Sequence, residues 1–453
     1  MNTFIILLLS LVAVFVIRQA FIKIKDISPD IVLKIFAAML PVIGIVRYFM
    51  SDSFVETVGP MEDPLQTFLR WSYHIGYAVI PMSVFFDNRL FRNIASYFCL
   101  PVSILSAFFF NDTFAYFVAE GAGGFYVDQS FRSLFYTLEL ILAIIIPALM
   151  QIHHKHIINV KNVKELPLTI GLIPLIMLQM MPSYMLKTIV EDFDLTTGMF
   201  GQLHLLWLGA LLVEILILNF IFRKRSEKDK FTLIAFLVLA QVMHTMSSFV
   251  RGFTFSRIPL QLCNIAAFFY LYMIIKKDKR MFDFCYLANL VGAVIAMVLV
   301  NFTSDSFNFW NLHYIYEHSF VVMVPVLCTT LGIFKRLDKR AIKHMLSIFS
   351  VYFAFVFVFG TIINAIDTNP GYAVNHFYMF NPVVAVQYLP FAGFTGLIHW
   401  QFGEFEIYPI LVVIIFILFS VINFGFLGLN LLGYKIIDKI KARKNSKTDM
   451  ATV

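Results

Sequence analysis

Apolar runs of roughly 17–25 residues, long enough to cross a bilayer core, recur along nearly the whole chain between short polar loops. They fall near Phe4–Phe21, Ile31–Met50, Leu69–Phe86, Ile94–Phe110, Phe131–Ile152, Leu168–Leu186 and Gly201–Phe222. The series continues near Phe231–Val250, Ile258–Ile275, Phe284–Phe302, Tyr314–Phe334, Met345–Ile366 and Tyr408–Leu432. The expected fold class is therefore all-α, a polytopic transmembrane helical bundle of about thirteen spans. Pro382–Trp400 is also apolar but is broken by Pro390, Gly393 and Gly396. It reads as a re-entrant or interfacial element, because a span there would carry the Lys-rich tail to the other side.

The loops alternate in charge as the positive-inside rule requires. Basic loops hold Arg89 and Arg92; Lys155, Lys161 and Lys164; Arg223, Lys224 and Arg225; Lys276 to Arg280; Lys335 to Arg340; and the tail from Lys435 to Lys447. Acidic or near-neutral loops alternate with them, around Asp52–Asp63, Glu120–Asp128, Glu191–Asp194, Asp305, and Asp367 with Glu404 and Glu406. Arg251 and Arg257 dissent. The N-terminal apolar run has its first cations after it, at Arg18, Lys23 and Lys25. That predicts an uncleaved first helix, an outside N-terminus and a cytoplasmic C-terminus.

Composition agrees: of 453 residues, 60% are hydrophobic and 14% charged, with a mean hydropathy of +0.80. The net charge of +7 sits mostly in short loops and the tail, which is topology information and not a nucleic-acid footprint. Cys99, Cys263, Cys285 and Cys328 lie within apolar runs, with no spacing that suggests a disulfide framework or a zinc site. His153, His154 and His156 read as a solvated basic loop. The richness in Phe, Ile, Asn and Lys is that of an AT-rich bacterial genome.

The chain also echoes itself. LLSLVAVFVIRQAFIKIKD resembles LLVEILILNFIFRKRSEKD, and WSYHIGYAVIPMSVFFDNRLF resembles QLCNIAAFFYLYMIIKKDKRMF. FYTLELILAIIIPALM matches YIYEHSFVVMVPVLCT, which sets Glu139 opposite Glu317 and Pro147 opposite Pro325. The expectation is a parallel tandem duplication of a six-helix unit plus a final helix. Three parts follow: 1–200, a helical half without the second half's Cys and His; 201–435, the half with a candidate site; and 436–453, a basic cytoplasmic tail.

Polar groups gather toward the outer ends of the second-half helices. On these run boundaries Cys263 lies about two turns into its helix, roughly 8–10 Å, and His318 about one turn into its own. His204 opens the seventh run, Asn301 ends the tenth, and Asn364 is near the end of the twelfth, followed by Asn375, His376 and Tyr378. Polar groups inside a bilayer are costly unless they face a bundle interior or a wet cavity, so a shared depth suggests a pocket. Each has a plainer reading. A lone intramembrane Cys packs as a small hydrophobe, a His can bond a carbonyl, and an Asn can end a helix. Glu214, in the middle of the seventh run, needs a partner that the sequence does not identify.

QLHLLWLG, IPLQLCN, GAVIAMVLVNF, YIYEHSF, NHFYMFNP and EIYPIL, in that order over Gly201–Leu432, resemble the YwaF family of bacterial integral membrane proteins. That family is related to eukaryotic ether-phospholipid acyltransferases. The resemblance puts the family's Cys on Cys263, its paired His on His318, its first-helix His on His204, and its asparagine-tyrosine motif on Asn375 with Tyr378 nearby. The sequence departs where a Pro-acid pair is expected and Val300 and Asn301 stand, and in the added stretch Pro382–Trp400.

What the resemblance implies is an acyltransferase of the bacterial cytoplasmic membrane. Cys263 is the nucleophile and His318 the base, while His204, Asn301 or Asn364 donate to the oxyanion. The partner is a membrane phospholipid or lysolipid, with neither a soluble cofactor nor a metal. The residues alone leave two other classes open: a small-solute transporter built from two parallel repeats, and a membrane scaffold without chemistry.

Overall fold

The computed structural model describes residues 29–50, 75–109 except Asp87, 129–153, 160–180, 195–247, 258–300, 306–366, 374–380 and 398–451 except 403–404. It also describes isolated positions, among them Tyr73, Phe255 and Phe302. The described residues form α1 (Pro29–Met50), α2 (Gly76–Phe85), α3 (Arg89–Phe108), α4 (Gln129–His153), α5 (Val160–Met180) and α6 (Gln202–Phe222). Then come α7 (Glu227–Ser247), α8 (Leu262–Lys276), α9 (Lys279–Val298), α10 (Phe309–Thr330) and α11 (Ala341–Ile366). A short hairpin, β1 (Trp400–Phe402) against β2 (Phe405–Ile407), precedes α12 (Pro409–Ala451).

Among the described residues, seven helices are long and apolar enough to cross a membrane: α3, most of α4, α6, α7, α9, α11 and Pro409–Ile440 of α12. Several carry large apolar side chains facing outward at helical spacing. Leu205, Leu212 and Leu216 do so on α6, and Val351, Phe355, Val358 and Ile362 on α11. Such a stripe suits an apolar surrounding, as lipid provides. Every expected run from Ile31 to Leu432 contains a described helix, whereas most of Phe4–Phe21 lies outside the described residues. So do Pro382 to Leu397 of the Pro/Gly-broken stretch; its last residue, Trp400, begins the hairpin. The acidic loops around Asp52–Asp63, Glu120–Asp128, Glu191–Asp194, Asp305 and Asp367 also fall outside the described residues.

The chain divides into two compact units, Met1–Phe253 with Val300–Phe320, and Thr254–Leu299 with Val321–Val453. In the first, α1 packs on α2 and α4, α7 packs on α1, α2 and α5, and α5 packs also on α3. In the second, α9 packs along α11, α8 turns onto α9, and α12 lies against α11.

Two helices, one per unit, share an unusual construction. In α3, Asn88 caps the N-terminus by accepting from the N–H groups of Leu90 and Phe91, six α residues follow, and Ala95–Cys99 widens into a π turn. In α9, Asp278 accepts from Arg280 and Met281, six α residues follow, and Cys285–Asn289 is a π turn. Each then runs nine more α residues, to Phe108 and Val298. Side-chain caps satisfy N–H groups that a helix start leaves open.

Candidate functional site

In the second unit, the start of α8 is restrained at three consecutive residues. The Tyr352 hydroxyl of α11 donates to the Leu260 carbonyl. Gln261, at the N-cap, accepts the Phe377 N–H on its Oε1 at 3.0 Å. The Leu262 carbonyl accepts from Asn289 Nδ2, in the π turn of α9, at 2.7 Å. Gly292 completes the fit, since a Cβ there would stand 2.9 Å from Leu262 Cδ2. Cys263 follows directly. It is half-buried in the first turn of α8, its Sγ 3.1 Å from Asn264 Oδ1.

These boundaries revise the expected depth. Pro259 biases Ile258 toward extended backbone. Gln261, the N-cap, is itself extended at φ −68°, ψ 147°, so Cys263 is the second residue of α8 and not two turns inside it. The first turn of a helix leaves its N–H groups open and carries the positive end of the helix dipole.

The loop before the hairpin holds the same region. Asn364 and Val374 exchange two hydrogen bonds, Nδ2 to the carbonyl at 2.9 Å and N–H to Oδ1 at 2.8 Å. Asn375 Oδ1 accepts the Phe380 N–H at 3.0 Å. Between them lies a 3-10 turn, His376–Tyr378, in which Phe377 adopts φ +56°, the left-handed region costly for a side chain. Its ring packs against Phe349, Tyr352 and Phe353, which offsets that cost. His376 is buried in this loop, and burial pushes its imidazole down to about 4. Cys263, Asn364, Asn375 and the turn containing Tyr378 thus belong to one hydrogen-bonded region of the second unit.

His204 and His318 belong to the first unit. The Phe200 N–H donates to His204 Nδ1 at 2.9 Å, so the neutral ring carries its proton on Nε2. That Nε2 is buried without a hydrogen-bond partner among the described residues, on a residue 1% exposed. His318 has the opposite tautomer. Its Nδ1 is 2.7 Å from the Tyr314 carbonyl, which can only accept, so the Nε2 lone pair is left as a base. An aromatic group links the two: Trp207 touches the rings of His204, Phe302 and Tyr314, and Tyr314 lies 4.0 Å, centroid to centroid, from His318. Because α10 begins at Phe309, His318 is nine residues along it, not one turn in. Asn301 lies outside the described residues.

Sequence reading singled out Glu214 but not the polar group around it in the first unit. Glu214 on α6 has its partner in Gln179 of α5, whose amide donates to the carboxylate. His244 Nε2 donates to the Gln179 carbonyl at 2.8 Å and stacks on Tyr316 at 4.2 Å. A cavity of about 20 Å³, room for one water, lies beside Gln179 and Glu214 among Leu175, Leu218 and Phe236. His313 and Glu317, one turn apart on α10 and both buried, approach to 3.5 Å. The sequence similarity of FYTLELILAIIIPALM to YIYEHSFVVMVPVLCT carried the one available signal, by aligning Glu317 with Glu139, and Glu139 is itself fully buried on α4. No group of three or more His, Cys, Asp or Glu suited to a metal occurs among the described residues.

No curated protein and no solved structure matches the chain. Residues 199–424 match the TMEM164 family, a membrane-protein family, and this match together with the seven apolar helices identifies a multi-pass membrane protein.

Proposed function

We propose that this chain is a membrane acyltransferase in which Cys263 carries the acyl group as a thioester and His318 moves the protons. The restraint of Leu260, Gln261 and Leu262 by three separate elements carries this reading. A buried Cys that merely fills space needs no such fixing, whereas a nucleophile gains rate from a pre-set position. His318 Nε2 takes the thiol proton, and the thiolate attacks an ester carbonyl of a phospholipid. The carbon–sulfur bond forms, the carbon–oxygen bond breaks, and the leaving lysolipid oxygen takes the proton back from His318. A second hydroxyl then gives its proton to His318, attacks the thioester and releases the thiolate. His204 Nε2–H, Asn301 or Asn364 donates to the oxyanion.

The setting is the outer leaflet of a bacterial cytoplasmic membrane, crossed about thirteen times with the N-terminus outside. The alternating loop charges and the resemblance of residues 201–432 to the YwaF family support it. The matched caps and π turns of α3 and α9, 190 residues apart at Asn88 and Asp278, support the tandem duplication. Mass spectrometry of the intact protein, with and without hydroxylamine, tests the chemistry. A hydroxylamine-sensitive acyl mass that is lost in Cys263→Ser and altered in His318→Ala is the expected result. An unmodified Cys263 in every native-lipid preparation would overturn it.

The group of Glu214, Gln179 and His244 favours a second reading, a proton-coupled carrier, because ionisable side chains at mid-span mark ion pathways. On that reading Cys263 is inert and no adduct forms.

A further inference from the structure

One end of the second unit gathers three basic segments that are far apart in sequence. Residues 276–283 hold Lys276, Lys277, Lys279 and Arg280, and residues 335–344 hold Lys335, Arg336, Lys339, Arg340 and Lys343. Residues 435–447 of α12 add six more cations. The three stretches total fifteen Lys and Arg against four Asp.

Side-chain contacts tie them into one surface. Asp283, almost fully buried, is bonded by Lys279 from its own helix and by His344 Nδ1 at 2.8 Å. Phe282 stacks flat on Phe334 at 4.6 Å. Arg336 pairs with Asp438 at 2.9 Å and lies over the Tyr434 ring at 5.0 Å. The four acids are largely spent on internal duties: Asp278 caps α9, Asp283 is buried, Asp338 accepts the Arg340 N–H, and Asp438 holds Arg336. Lys276, Lys335, Lys339, Arg340, Lys343, Lys435 and Lys439 remain exposed.

Apolar side chains stand exposed among these cations. Ile275 precedes Lys276, and Ile436, Ile437 and Ile440 flank Lys435 and Lys439. Cations mixed with outward-facing isoleucines suit the boundary between acyl chains and headgroups, where the one needs apolar surroundings and the other phosphate. A purely aqueous polyanion would leave the isoleucines in water. The surface also adjoins the ends of three apolar helices, α9, α11 and the Pro409–Ile440 span. That keeps its charges within a Debye length of the membrane surface.

We infer that this end of the second unit binds the headgroups of anionic phospholipids in the surrounding leaflet, with its cations on the phosphates and Ile275, Ile436, Ile437 and Ile440 at the level of the acyl chains. Because the proposal uses no residue of the Cys263 region, it stands or falls independently of acyl transfer.

Native mass spectrometry of the full chain in detergent, titrated with dioleoyl phosphatidylglycerol and separately with dioleoyl phosphatidylcholine, tests it. Phosphatidylglycerol is expected to bind at least tenfold more tightly, with most of that preference lost in Lys335→Gln/Lys339→Gln/Arg340→Gln/Lys343→Gln. Arg223→Gln/Lys224→Gln/Lys228→Gln, which removes charge from the first unit, is expected to keep it. Should the four-site variant not fold, the unaltered chain still decides, because the preference must shrink as salt rises. Equal binding of the two lipids, a preference that salt leaves unchanged, or equal loss in both variants overturns the inference. Full competition by millimolar inorganic phosphate does so as well, by showing a site for free phosphate.

Discussion

Asn289 reaches from the π turn of α9 to the carbonyl of Leu262, 2.7 Å away, one residue before Cys263. Its own Oδ1 is buried without a hydrogen-bond partner among the described residues, so the Nδ2 bond is the one by which the side chain is held there. Asn289→Leu is expected to cost about 1–3 kcal/mol, read from thermal unfolding in detergent. It should also slow acyl loading of Cys263 in protein that remains folded. Normal loading with lowered stability would make Asn289 purely structural.

His204 offers a donor on Nε2 and nothing else, because Nδ1 is occupied by the Phe200 N–H. If it faces the developing oxyanion, His204→Phe should lower acyl transfer by roughly a hundredfold or more, while His204→Gln, which can still donate, loses less. Equal losses in single-turnover assays of the two variants would remove the donor role.

The loop of His376 should weaken in acid. The folded imidazole sits at about 4 against an ordinary 6.5, so the open loop binds more protons between those values. Stability is therefore fully present above about 6.5 and is lost as pH falls toward 4, by an amount on the order of 3 kcal/mol. Protease cleavage near residues 374–380 should rise over that window and become flat with pH in His376→Gln.

Gln179→Leu leaves the Glu214 carboxyl in an apolar span without its donor, a loss of about 1–3 kcal/mol. Replacing both residues with Leu should restore most of the stability, since the unmatched polar group is then gone. Glu214→Leu separates the two functional readings. A carrier loses proton-linked uptake in proteoliposomes, whereas an acyltransferase keeps a hydroxylamine-sensitive Cys263.

The two helix caps differ in chemistry although they match in place. Asn88→Ala and Asp278→Ala should each cost about 1 kcal/mol. Burial raises the Asp278 carboxyl, but the hydrogen bonds and charge of Arg280 outweigh it and hold the group below its ordinary 3.8. The Asp278 contribution is thus complete above about 3.8 and fades as pH falls through its lower folded value, while that of Asn88 does not titrate. Melting curves of the two variants across that range check both statements.

Runs of apolar residues made the helices legible, because lipid demands length and hydropathy and little else. Their ends were less legible for the same reason. Ile258 and Leu260 are apolar, so hydropathy placed the start of α8 there, although Pro259 biases Ile258 to extended backbone and the chain stays extended as far as Gln261. Asn311 and His313 diluted the start of α10, which set His318 too near its end. Glu214 was conspicuous as a mid-span acid, but Gln179 lies 35 residues away on another helix, and no local pattern joins them. Tautomers were out of reach as well: the roles of His204 and His318 depend on one backbone N–H and one carbonyl, not on their neighbours in sequence.

The π turns of α3 and α9 have a consequence for insertions and deletions. A π turn accommodates one residue more than an α turn, and each residue in a helix rotates the chain by about 100°. Removing one residue from Cys285–Asn289 would let α9 run as a continuous α-helix and leave Leu290–Val298 on the side it now presents, with Gly292 still facing Leu262. A residue added or removed elsewhere in α9 has no such turn to absorb it and would swing the helix beyond it by about 100°. The π turn therefore takes up the surplus residue locally, so that the later helix meets the start of α8 in phase.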